Sequence, residues 1–101
     1  MKLYLKSNRS GVNAVGEYDK NQKKFIVKKG SVVSMQIGSS EKFRGASSIA
    51  EMREKYVVDC VVKSDVEFKS PSTAANFVTG NSTNGLVAWK DADGKKLKEL
   101  V

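Results

Sequence analysis

Residues 70–90 read SPSTAANFVTGNSTNGLVAWK. Ser70 is a natural N-cap, because its hydroxyl can accept from an amide of the first helical turn. Pro71 suits the first helical position, where a missing amide proton costs nothing. Gly80 stands where a helix ends in a left-handed residue. The segment therefore predicts a helix over 71–79, with Ala74, Ala75, Phe77 and Val78 on its buried stripe. Asn84-Gly85 signals a tight turn, and Leu86–Lys90 then reads as a strand carrying Trp89.

Upstream, apolar residues alternate with polar ones, and a period of two predicts strands. Lys2–Lys6 sets Leu3 and Leu5 on one face and Tyr4 on the other. Val12–Tyr18 places Val12, Ala14, Gly16 and Tyr18 on one side. Asp19–Gln22 is a polar turn, and Phe25–Val33 is β-like, broken at Gly30. Residues 38–46 read as a loop. Ser47 or Ser48 then caps a helix to about Tyr56, with Ile49 and Met52 on its apolar face. Val57–Val62 and Val66–Phe68 are strand candidates. Asp91–Gly94 forms another turn, and 95–101 closes the chain as a short strand or irregular tail. The expected fold is α+β, a small, mainly antiparallel sheet with two short helices packed on it. Phe25, Val27, Ile49, Met52, Phe68, Ala74, Phe77 and Val78 are its expected core.

A chain of 101 residues with 40% apolar content suits a single domain over 1–101. No apolar run approaches the length of a membrane span, and the N-terminus lacks a secretory pattern, so we expect no membrane association and a cytoplasmic protein. Cys60, the lone cysteine, fits a reducing compartment and reads as a buried, inert thiol among valines.

The net charge is +7, and all of it lies in residues 1–50; residues 51–101 balance. A one-sided basic surface attracts phosphate backbones. There is no histidine, which removes the commonest general base and metal ligand. Gly80 and Gly85 have P-loop spacing, but Leu86-Val87 follows where Lys-Ser/Thr is required. Asp91 and Asp93 resemble a calcium loop, but its later ligands are missing. We therefore expect no cofactor, no metal and no catalysis.

Lys24 and Lys28 project from one face of the Phe25 strand and are the expected phosphate contacts. Trp89 offers a stacking platform for a base, with Lys90 beside it for a phosphate. Asn76 and Asn84 carry amides able to read a base edge. The alternative reading makes the chain a protein-interaction module with Trp89 as anchor.

The 70–90 segment resembles the SPSxAAxxVxGxxxNGxxxWK pattern of a bacterial domain of unknown function. That domain is common at the C-terminus of GIY-YIG nuclease-like and restriction-modification-associated proteins, and is similar to the RAMA domain. Gly11, Ala14, Gly16 and Tyr18, then Phe25, Val27, Lys29, Gly30 and Ser31, fit the family's GxxAxGxY…FxVxxGS run. Leu86 departs from it, standing where many relatives carry an aromatic residue. The resemblance covers roughly residues 11–93. It implies an accessory module that binds DNA, in some cases modified DNA, beside a nuclease or methylase subunit.

Overall fold

A computed structural model describes residues 1–7, 11–34 and 46–101. Three strands open the chain: β1 (Lys2–Ser7), β2 (Val12–Asp19) and β3 (Lys24–Val27). Helix α1 (Ala46–Tyr56) follows, then the short strands β4 (Val57–Val58), β5 (Val61–Val62) and β6 (Val66–Phe68). Helix α2 (Pro71–Thr79) and two single turns, α3 (Gly85–Ala88) and α4 (Leu97–Leu100), complete it. The main sheet runs β1-β2-β3-β6, antiparallel throughout, and β4-β5 is a separate hairpin. This is the α+β architecture expected from the sequence.

Register fixes which side chains go inside. Leu3 pairs with Gly16, Leu5 with Ala14, and Phe25 with Phe68. These residues, with Val12, Val27 and Val66, turn one face of the sheet inward, where α2 adds Ala74, Ala75, Phe77 and Val78. Seven of the eight expected core residues are buried, and Met52 packs against them half-buried.

Helix α2 is capped as the sequence requires. Ser70 Oγ accepts from the Thr73 amide at 3.2 Å, and Gly80 closes the helix in the left-handed region at φ 73°. Its C-terminal carbonyls meet Arg53 of α1. The guanidinium donates to the carbonyls of Phe77 (2.9 Å) and Val78 (3.3 Å), and also to Ser34 O and Oγ. Partial burial lowers the Arg53 pKa from its ordinary value, while the negative end of α2 and these acceptors hold the charge in place.

Six local expectations are corrected. Leu86–Lys90 is not a strand: Asn84 Oδ1 accepts from the Leu86 amide at 3.0 Å and starts the helical turn α3. A short apolar run fits strand or helix equally, and this cap decides between them. Val57–Val62 is a hairpin, because Asp59 and Cys60 both take positive φ (51° and 65°), the two-residue turn that matches strand twist. Cys60 at that turn is half-buried, not enclosed. The Phe25 strand ends at Val27, although Val32 still bridges Asn13 and Val61. Helix α1 starts at Ala46, so Ser47 and Ser48 fall inside it. Residues 95–101 hold the turn α4. The loop expected over 38–46 lies outside the described residues, save Ala46. Among the described residues, no helix is long and apolar enough to cross a membrane.

Candidate nucleic-acid interface

The signature segment folds into an interlock. Trp89 has no exposed surface. Its indole N–H donates to Pro71 O at 3.0 Å, and its ring lies 4.5 Å from that of Phe25. Ser72 Oγ accepts from the Gly85 amide at 3.0 Å, and Asn76 Oδ1 accepts from the Thr83 amide at 2.7 Å. Asn84 uses its side-chain oxygen as the α3 cap.

Trp89 is thus corrected from stacking platform or partner anchor to core. Its ring is enclosed and its donor is used, so it presents nothing to a base or a partner. Asn76 and Asn84 spend their carbonyl oxygens on main-chain amides, which removes the acceptor half of a bidentate base contact.

The opposite face of the sheet carries the remaining candidates. All the core residues of the strands point toward the helices, leaving Lys2, Tyr4, Lys6, Val15, Glu17, Lys24, Ile26, Lys28 and Glu67 on the other side. Lys24 and Lys28 project outward as expected, but both meet carboxylates. Lys24 Nζ lies 3.3 Å from Glu67, and Lys28 Nζ lies 3.0 Å from Asp65 and 3.6 Å from Glu17.

Asp65 also accepts from the Lys29 amide at 2.8 Å. That bond, then the Lys28 ammonium, holds its pKa below the ordinary 3.8. Lys28 is raised above 10.5, chiefly by its hydrogen bond to Asp65. A depressed carboxyl pKa stabilises the fold above the ordinary value and loses that contribution as pH falls through the folded one; a raised lysine pKa contributes below 10.5 and loses it above. Urea unfolding should therefore show Asp65→Asn less stable than wild type at neutral pH, with the gap shrinking as pH drops below 3.8. A gap independent of pH would deny the charge its role.

The cations without a carboxylate within ion-pair distance, among the described residues of this face, are Lys2 and Lys6 on β1. Their ammonium groups stand 5.9 and 5.7 Å from the centre of the Tyr4 ring. Lys90 joins them across the sheet edge: Tyr4 N–H donates to Lys90 O at 2.7 Å, and Lys90 N–H to Tyr4 O at 2.9 Å. Tyr4, Lys6, Lys90 and Asp91 line a groove of about 490 Å³. A depression of about 530 Å³ lies beside Arg53, but four hydrogen bonds to Ser34, Phe77 and Val78 already occupy that guanidinium, and one of about 480 Å³ lies beside Glu17, Asp19 and Lys24.

Of the sequence candidates, only Lys90 belongs to this cluster. Lys2, Tyr4 and Lys6 were missed, although their signal is plain: in KLYLK the two leucines must face the core, so the tyrosine and both lysines share the outer face.

A family model described as a domain of unknown function (DUF4357) matches residues 3–101. Neither the curated proteins nor the solved structures contain a match to the chain. With nearly every residue inside that match, including the interlocked 70–90 segment, the chain belongs to the DUF4357 family.

Proposed function

We propose that this chain is a non-catalytic, cytoplasmic accessory module that binds nucleic acid through the open face of its sheet. The observation that carries the reading is Tyr4 held between Lys2 and Lys6, with Lys90 on the adjoining strap. These cations keep their charge available to phosphates, whereas Lys24 and Lys28 are compensated by Glu67, Asp65 and Glu17. The resemblance to restriction-modification-associated domains supports DNA as the ligand and a nuclease or methylase subunit as the companion.

Anisotropy titrations of labelled DNA across salt concentrations test this. Each phosphate contact contributes about 0.7 to 0.9 to the log–log salt slope. Changing Lys2, Lys6 and Lys90 together to Gln should flatten the slope by roughly two to three and weaken binding of every sequence alike. Lys24→Gln with Lys28→Gln should change it far less. No binding at about 50 mM salt would overturn the proposal, because phosphate contacts are strongest at low salt.

A further inference from the structure

We infer that the open sheet face selects unpaired bases, with Tyr4 stacking on a base while Lys2, Lys6 and Lys90 hold the flanking phosphates of a single strand. The inference rests on the nucleic-acid reading above and names the form of nucleic acid.

Shape is the first argument. Four strands set three spacings apart span about 14 Å between backbones, wider than the roughly 12 Å major groove. A two-stranded ribbon fits that groove and this sheet does not. Of the two longer helices described, α2 carries no Lys or Arg and buries four of its nine residues, while α1 commits Arg53 to the end of α2 and keeps only Lys55 as an exposed base.

The position of Tyr4 is the second argument. Tyr18 and Tyr56 pack against the core, whereas Tyr4 is on the outer face, opposite Val15, and takes no part in that packing. A partly exposed ring at the groove it shares with Lys6 and Lys90 offers a π surface that an unstacked base can cover. Within a duplex the bases already stack on one another, so the ring has nothing to receive.

Charge placement is the third. Lys2 and Lys6 stand four residues apart along one strand, about 13 Å, with the ring midway. Lys90 adds a cation beyond the sheet edge, at the groove it shares with Tyr4 and Lys6. A backbone crossing this edge meets cations on both sides of the stacked base. Asp65 and Glu67 lie toward β3 and β6, paired to Lys28 and Lys24. On the β1 side Glu17, opposite Lys2 in register, turns to Lys28, and Asp91 in the groove accepts from the Asp93 and Lys95 amides, which leaves the three lysines of this edge in excess.

The test compares labelled oligo-dT and oligo-rU of about 15 nucleotides with a duplex of equal length. Poly-glutamate serves as an acidic polypeptide control. Tyr4→Leu keeps an apolar strand residue without a π face, and Tyr4→Phe restores the ring; Trp89 fluorescence reports that each variant is folded. The expected result is tighter binding of either single strand than of duplex. Tyr4→Leu should weaken it roughly tenfold with an unchanged salt slope, and Tyr4→Phe should stay near wild type. Equal or tighter duplex binding, insensitive to Tyr4, overturns this inference and leaves the nucleic-acid reading standing. Poly-glutamate binding as tightly as oligo-dT also overturns it. Failure of every nucleic acid at about 50 mM salt overturns both readings.

Discussion

Trp89→Ala should lower stability by about 3–5 kcal/mol, the cost of emptying a large aromatic site that cannot collapse. The surrounding contacts explain why collapse is blocked. The ring touches Phe25 from β3 and faces Gly16 of β2, where an added Cβ would come within 3.3 Å of it. Its indole N–H reaches Pro71 at the head of α2, and its main-chain carbonyl accepts from Leu97 at 2.9 Å. Sheet, helix and C-terminal turn therefore meet at one side chain. For a domain of this size each kcal/mol shifts the melting midpoint by about 4–8 °C, so a fall of at least 12 °C is expected by circular dichroism. Trp89→Phe keeps most of the buried ring and loses the hydrogen bond, which should cost about 1–3 kcal/mol. If Trp89→Ala melts within a few degrees of wild type, Trp89 does not hold the core together.

Gly85→Ala should be as damaging through the opposite fault. Gly85 is buried, and a methyl group there would overlap the main chain of Pro71 and Ser72. Those atoms belong to the first turn of α2 and have no rotamer by which to move aside. Relief requires α3 to separate from α2, which also breaks the Gly85 amide bond to Ser72 Oγ. Overpacking against backbone should cost about 3 kcal/mol or more, at the upper end of such effects. The melting midpoint of Gly85→Ala, set beside that of Trp89→Ala, checks this. A near-neutral substitution would show that the α2–α3 approach is looser than the geometry requires.

These two residues show how far the sequence could be read. Ser70, Pro71 and Gly80 carry local information, because cap and terminator chemistry act within a few residues, and helix 71–79 has the bounds they predict. Strands β1, β2 and β6 were nearly as legible, since alternation must match the buried face, whereas β3 ends at Val27, short of the Phe25–Val33 expected. Asn84-Gly85 was recognised as special but given the wrong role. Its glycine answers to Pro71 and Ser72, more than ten residues earlier, and no local rule reveals such an approach. Trp89 followed the same logic: its burial depends on Gly16 and Phe25, far upstream. The ligand-facing candidates were weakest for a related reason. A lysine is free or paired according to its cross-strand neighbours, so Lys24 and Lys28 looked available until Glu67, Glu17 and Asp65 were placed beside them. Tyr4 was overlooked because a single aromatic in a short strand reads as filler until, among the described residues, it proves to lie on the face away from the core.

The late position of Trp89 bears on how the protein is made. Synthesis delivers the chain from its N-terminal side, and β1 to β6, α1 and α2 all precede residue 89. A nascent chain reaching only residue 88 has every strand of the sheet and both longer helices, yet a void where the indole belongs. The elements can condense, but their shared centre is missing, and Tyr4 still waits for the Lys90 main chain to close its edge. Until then β1 exposes that edge to other chains. Cooperative folding is thus deferred until the tryptophan has emerged, and the interval before it is when a helper protein has the most exposed apolar surface to hold.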